Sequence, residues 1–313
     1  MGEILALLTG FFFSSSNLMA RQGMKKLERN SGLLVTLLVN NAMNVIALVF
    51  LTVLALMPRF NLWGLFYFGL AGVFTSFAGR FFLFASIERI GASRAGLFKI
   101  SAPMFTIFLG IIILGEQLTH LDLLGSAIVL AGLYLLSASG DFGKTIAPPV
   151  GIVSFAEAKE KPFALNTGVI YGILSGLALS IGHIFRKLGL FYISSPIVGV
   201  SIGSFVSLLC VTGYLLHKHG KLSSVTEVVS QTFCFDKTCR GFFWGGFLNT
   251  FAQYLFFSAL LYTSVSIANI LISTEALFNL LLVALFFRSD EPLTPRLVIL
   301  SLIVMAGVAL IML

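Results

Sequence analysis

Charged side chains are scarce in this sequence: 11% of 313 residues, against 58% that are hydrophobic. No soluble core of this size buries that much apolar side chain, so a soluble globular class is excluded and an integral membrane protein is expected. Cysteine is sparse too, at three. Cys210 falls inside an apolar run, where it acts as a small apolar residue. Cys234 and Cys239 share one polar loop; a disulfide there requires an oxidising compartment, and a zinc site lacks further ligands at a usable spacing. Also missing are a Walker loop, a Gly-rich nucleotide turn, a His-Glu-x-x-His run and a Ser/His/Asp constellation. Neither an enzyme nor a direct user of ATP is therefore expected, and no cofactor or metal. The net charge of +7 comes with no basic face or recognition motif, so nucleic acid is not an expected partner. Excess Lys and Arg in such a chain reports topology instead.

What the sequence has in quantity is long apolar runs. Roughly 17 to 25 residues are needed for a helix to cross a bilayer, and ten such runs are read: Ile4–Ala20, Leu33–Leu56, Leu62–Ile87, Ala95–Leu114, Leu121–Ala138, Thr167–Phe185, Pro196–Leu216, Gly241–Tyr262, Val265–Phe287 and Leu297–Met312. Barrel strands alternate apolar and polar residues in segments of about ten. These runs are continuous, so helices are expected. The sequence starts almost at its first run and stops inside its last, which leaves no expected soluble domain. No cleavage-site pattern follows the first run, so it is expected to be retained. The longest polar interruption, residues 140–166, holds Pro148-Pro149 and the charges Glu157, Lys159, Glu160 and Lys161. It reads as a linker between residues 1–139 and 167–313.

Those two segments are copies. Glu116–Leu135, EQLTHLDLLGSAIVLAGLYL, lies over Glu291–Leu310, EPLTPRLVILSLIVMAGVAL, without a gap and with nine identities in twenty, including the polar Glu-x-Leu-Thr start. Gly10, Ser14, Arg21 and Gly23 likewise fall over Gly176, Ser180, Lys187 and Gly189. Five spans is an odd number, so the second copy enters the membrane from the opposite side. The expected fold class is an all-α integral membrane protein with ten transmembrane helices as two inverted five-helix repeats, an architecture that favours a central site opened alternately to each side.

The segment from Ser86 to Leu136 then becomes specific. Ala92-Ser93 in a short hairpin, Pro103 with Phe105, Leu114-Gly115-Glu116 and Ala131-Gly132 together resemble the third-to-fifth-helix signature of the EamA-like transporters of the drug/metabolite transporter superfamily. The second copy keeps Glu275 and Phe278, has Ala276 at the proline position, and replaces Leu-Gly-Glu with Arg288-Ser-Asp-Glu291. The resemblance covers nearly the whole chain. It implies a transporter of small metabolites, but its motifs are largely packing residues and do not name the cargo.

Ionisable groups inside a span are functional candidates, because each costs at least about 2.5 kcal/mol at the bilayer centre. Arg80 lies roughly 10 Å inside the end of the third span at 1.5 Å per residue, and Lys99 about a turn and a half inside the fourth. Being on neighbouring helices in one half of the membrane, they would form a positive patch for phosphate, sulfate or carboxylate. The alternative is that Lys99 snorkels to the interface and that Glu88 or backbone carbonyls neutralise Arg80. Glu275, near the middle of the ninth span, would pair with a cation of the other half, bind a cationic cargo group or carry a coupling proton. Asn40 and Asn44, one turn apart in the second span, would bond cargo or neighbouring helices. Asn17 and His183 occupy equivalent places in the first and sixth spans. Gln253, which overlays Arg80, and Asn269 and Asn279 complete the candidates.

Orientation gives two answers. With the N-terminus on side A, the side A loops are read as holding Arg59, Arg186 and Lys187. Side B holds fifteen basic residues: Arg21, Lys25, Lys26, Arg29, Arg89, Arg94, Lys144, Lys159, Lys161, Lys218, Lys221, Lys237, Arg240, Arg288 and Arg296. The positive-inside rule makes side B cytoplasmic, whereas the family resemblance implies cytoplasmic termini. The functional expectation is a multi-pass secondary transporter in the cell membrane that exports a small anionic or zwitterionic metabolite by alternating access. A monomer suffices, because the two halves supply the symmetry within one chain. A proton-coupled exporter of cationic or aromatic compounds working through Glu275 and a lipid-phosphate flippase are the alternatives.

Overall fold

The computed structural model describes residues 1–24, 29–90, 101–138, 167–219, 237–286 and 295–313; for some of these, Arg80 among them, only the backbone is described. Among the described residues all regular secondary structure is helical. The helices are α1 (Gly2–Met24), α2 (Arg29–Val53), α3 (Leu62–Gly72), α4 (Gly79–Ile90), α5 (Ala102–Leu114), α6 (His120–Ala138), α7 (Thr167–Tyr192), α8 (Pro196–His219), α9 (Lys237–Tyr262), α10 (Val265–Ser273), α11 (Glu275–Phe286) and α12 (Pro295–Met312). A wider-wound stretch, Val73–Ala78, joins α3 to α4, and the single residue Thr274 joins α10 to α11. Counting each joined pair once gives ten rods, in the order expected from the apolar runs. Exposed Val45, Ile46, Val49, Phe50, Phe108 and Ile112 leave a wide apolar girdle on the outside, as a lipid-facing surface requires.

The pairings show the inverted repeat. α1, the first rod of one half, lies along α9, the third rod of the other; reciprocally, α7 lies along α3 and α4. α1 also meets α10 and α11, as α7 meets α5, while α6 and α12 pack chiefly on each other. The α1–α9 pair is antiparallel: Gly2 abuts Thr263, the Phe12 and Phe251 rings meet edge-on at 4.9 Å, and Ser16 Oγ donates to Gly245 O at 2.7 Å.

Helices approach this closely in an apolar solvent through small residues and hydroxyls. A Cβ on Gly72 would lie 2.4 Å from Gly203 O, and one on Gly125 would lie 2.8 Å from Gly307 O. Hydroxyls of one half bond carbonyls of the other: Ser175 to Gly79, Ser180 to Ala102 and Ser207 to Gly72, at 2.8, 2.7 and 3.1 Å.

Two differences from the sequence reading matter. The sixth span, expected to stop at Phe185, runs on to Tyr192 as α7. The ninth, expected to be continuous, is interrupted at Thr274, whose ψ of −6° departs from the helix. No proline causes this. Ser273 Oγ donates back to Asn269 O and Thr274 Oγ1 to Leu271 O, and such back-bonding bends helices.

Substitution tests the packing. Gly72→Ala drives a methyl into the Gly203 backbone and should destabilise by about 1 to 3 kcal/mol, the usual cost of overpacking. Gly213→Ala meets nothing within 4 Å and should leave stability level or raise it by up to about 1 kcal/mol through helix propensity. Thermal denaturation of the purified protein in micelles compares the two.

Candidate functional site between the two halves

The interior polar groups gather on three faces of α9 and its neighbours. The first group centres on Arg186, which is 8% exposed. Its guanidinium donates to Thr75 Oγ1 at 3.2 Å and to Gln253 Oε1 at 3.4 Å, and lies 5.2 and 5.0 Å over the rings of Phe256 and Phe257. Gln253 Nε2 donates to Asn249 Oδ1 at 3.2 Å. His183, one turn before Arg186, meets Phe256 edge-on at 5.0 Å. Thr75 belongs to the wider-wound stretch between α3 and α4, and Gly182 leaves room for it: a Cβ there would lie 2.4 Å from the Thr75 methyl. Irregular winding of this kind is common where a helix serves a site.

Arg186 and Lys187 thus correct the reading that placed both in a side A loop. They are helical, and each finds partners that make burial tolerable. Lys187 Nζ donates to Leu260 O and, at 3.0 Å, to Thr263 O, the C-terminal carbonyls of α9. A cation at a helix C-terminus is favoured by the helix dipole. A signal was present in the sequence: after Lys187 the apolar pattern continues through Leu188, Leu190 and Phe191, and no proline appears before Pro196.

The same turn is held from the other half. Glu116 accepts from Val265 N–H and the Ser266 hydroxyl, and from Ser266 N–H at 3.2 Å, while Ser264 Oγ accepts from Ile267 N–H at 3.2 Å. Three of the unpaired N-terminal donors of α10 are thereby satisfied. Gly115, at φ +65°, ends α5 in the left-handed conformation, and Gly110 gives the carboxylate space, since a Cβ there would lie 2.5 Å from Glu116 Oε2. The Leu-Gly-Glu motif therefore has a physical task.

The second group surrounds Glu275 at the start of α11. Asn17 Nδ2 donates to Glu275 Oε1 at 2.5 Å, and Gly10 abuts the Thr274 interruption, where a Cβ would lie 3.3 Å from Glu275 N, Ile272 O and Thr274 Oγ1. The α1–α9 register sets Gly10 level with about Gln253. The acid's helix interruption and the buried arginine consequently share one depth.

The third group joins α2 to α9. With its amide turned to suit its neighbours, Asn40 donates to Gly246 O at 2.8 Å, Thr36 O at 3.0 Å and Thr250 Oγ1 at 2.8 Å. Tyr254 O–H donates to Asn44 Oδ1 at 2.6 Å. Asn269 donates to Thr106 Oγ1 at 2.7 Å, linking α10 to α5. Asn40 and Asn269 thus spend their amides on neighbouring helices. Of the expected positive patch, Arg80 is placed by its backbone in α4, and Lys99 lies outside the described residues, as do Cys234 and the whole of the linker, residues 140–166.

Ten apolar rods in two inverted halves, with polar side chains gathered where the halves meet, define an inverted-repeat integral membrane protein. The chain belongs to the EamA-like transporter family, which matches residues 1–138 and 166–313. An uncharacterized transporter of Archaeoglobus fulgidus is 36% identical over 65 residues, 21% of this chain and 24% of that protein; the match spans about a quarter of that relative's length. A protein of known crystal structure superposes with a TM-score of 0.71 over 99% of this chain and 95% of its own, at 15% identity, which bears on the fold alone.

Removing Glu116 should show what the capped turn contributes. Glu116→Ala leaves the Val265 and Ser266 N–H groups of α10 unsatisfied and should cost about 1 to 2 kcal/mol, the range of a lost cap. Glu116→Gln, which retains an acceptor oxygen, should cost less. Thermal denaturation in micelles ranks the three proteins.

Proposed function

We propose that this transporter moves a small polar metabolite bearing an acidic group, an anion or a zwitterion, by alternating access of a site between its halves. The observation that carries this is the burial of Arg186 where α7 meets α3 and α9, with Thr75 Oγ1, Gln253 Oε1 and two aromatic faces among the contacts of its guanidinium. A planar fork of donors suits a carboxylate or phosphate, and such a charge inside a membrane protein marks a substrate path by default. Thr75, its partner, precedes Arg80 by five residues, about 7 Å along the rod. An anion passing from Arg186 toward side B therefore meets the level of Arg80 next, and Lys99 belongs to that same half by sequence. Glu275 serves as counter-ion or coupling acid; coupling is to protons, ions or exchange.

Export is the direction the charges favour. With Arg186 and Lys187 helical, the side A loops keep Arg59 of the three basic residues first assigned to them. The same criterion removes Arg21, Arg29, Arg89, Lys218, Lys237, Arg240 and Arg296 from the side B loops and leaves eight of the fifteen read there, so the bias toward side B stands, and the positive-inside rule places that side in the cytoplasm. Arg80 and Lys99 belong to that half by sequence, the half that intracellular anions would enter.

A ligand at a hundred times its dissociation constant adds about 2.7 kcal/mol of stability, so a thermal-shift screen will find the cargo class. The screen takes phosphorylated, carboxylated, zwitterionic, neutral and cationic metabolites against wild type, Arg186→Gln, Arg80→Ala and Lys99→Ala. The expected result is stabilisation by acids, lost in Arg186→Gln and weakened in the other two, with matching loss of uptake into proteoliposomes. Stabilisation by cations alone, unchanged in all three variants, would overturn the reading and favour a cation exporter working through Glu275.

A further inference from the structure

The interruption of the ninth span gathers polar side chains from α1 and α11. On α1, Gly10, Ser14 and Asn17 follow one another at steps of four and three and so share a face. Gly10 abuts the Thr274 interruption and Asn17 bonds Glu275, which turns Ser14, between them, toward the same place. On α11, Asn279 comes one turn after Glu275 on the same side, and the Phe11 and Phe278 rings meet edge-on at 5.8 Å, closing the two helices together.

Ser14 is fully buried and Asn279 is 2% exposed. Neither Ser14 Oγ nor Asn279 Oδ1 has a hydrogen-bond partner among the described residues. Buried polar atoms left unpaired are costly and rare in folded proteins. Here two of them flank a carboxylate at the junction of two half-helices. The negative end of the α10 dipole and the positive end of α11 meet at this junction and largely offset each other, so the carboxylate is the charge that would attract a cation, and half-helix junctions hold small cations in other inverted-repeat transporters.

We propose that Ser14, Glu275 and Asn279 form a site for one small monovalent cationic group, with Asn17 orienting the carboxylate. An alkali ion driving transport and the ammonium end of a zwitterionic cargo share this chemistry. The proposal deepens the reading of Glu275 above and rests on it in that one respect; Arg186 and the acidic end of the cargo are not involved. Ser14 makes the sharp probe. If its hydroxyl is merely an unsatisfied buried group, deleting it relieves a penalty and does nothing else. If it is a ligand, deletion leaves the cation-free protein as stable as before, or more so, and weakens cation binding.

The test is thermal denaturation of the full-length protein in micelles, with no cargo present. Sodium chloride or methylammonium chloride is compared with N-methyl-D-glucamine chloride at matched ionic strength. Wild type should melt several degrees higher in at least one of the small cations. Glu275→Gln should lose the shift, and Asn279→Leu and Ser14→Ala should reduce it, Ser14→Ala without lowering the melting temperature in N-methyl-D-glucamine. A response to sodium alone identifies a coupling ion, one to methylammonium alone the amine of the cargo, and one to both a site selective for size and charge. No response in wild type, a response that survives in Glu275→Gln, or Ser14→Ala that melts lower with its response intact would each overturn the proposal. The assay reads binding without transport, so its failure leaves the acid-group screen on Arg186 standing.

Discussion

The polar groups that this chain buries draw their partners chiefly from the protein itself, because the hydrocarbon around it offers none. The rods obey this in two ways. Hydroxyls on single helices return to their own backbone, as Thr9 does to Leu5 O and Thr75 to Ala71 O. Others cross to the other half, as Ser175, Ser180 and Ser207 do. The crossing bonds need backbones in near contact, and that is where the glycines fall: Gly72 against Gly203, Gly182 against Thr75, Gly10 against Thr274. Polar satisfaction and close approach are therefore one requirement, and together they hold the first rod of each half against the third rod of the other.

The charges follow the same requirement with larger stakes. Lys187 lies on the carbonyl end of α9 and Glu116 on the amide end of α10, so the turn between those helices presents each charge with the complementary end of a helix dipole. Glu116 belongs to the first half and the turn to the second, which makes this a fastening between halves on side A. Arg186 differs. Its contacts include a hydroxyl, an amide oxygen and ring faces, and the acidic cargo proposed above would add a charge-assisted pair to them.

The rods were legible in the sequence because continuous apolar length is what a bilayer demands, and the duplication was legible because packing residues such as Ala131-Gly132 recur as Ala306-Gly307. The ends of the spans were less so. Two adjacent basic residues after Phe185 look like the edge of a membrane, and only the carbonyls of Leu260 and Thr263, which are distant in sequence, make a longer helix tolerable for Lys187. The interruption at Thr274 carries no proline and leaves only a serine-threonine pair as its trace. Glu275 and Asn17 were each legible as intramembrane polar residues. Their contact was not, because 258 positions separate them and the repeat overlay pairs Glu275 with Ala102 instead.

That mismatch points to how a symmetric scaffold can perform a directional task. The fastening charges are written twice, since Glu291 overlays Glu116 and Arg21 overlays Lys187; they belong to the repeat itself. The interior charges are written once. Glu275 has an alanine for its counterpart, Arg80 a glutamine, Asn17 a histidine, and Arg186 falls over Ala20 when the first spans are laid together. Duplicated features let two inverted conformations approach equal stability, as alternating access needs, because each conformation is built from the same contacts with the halves exchanged. Under the alternating access proposed above, unduplicated charges at the centre would break that equality only for whatever sits among them, leaving the balance to the bound cargo while the scaffold stays neutral. The division of labour predicts its own failure: giving Ala102 a carboxylate, as Ala102→Glu, would install beside Ser180 the acid that Glu275 supplies beside Ser14. It should cost stability through an extra buried charge, visible as a lower melting temperature, while the small-cation response of the original site persists.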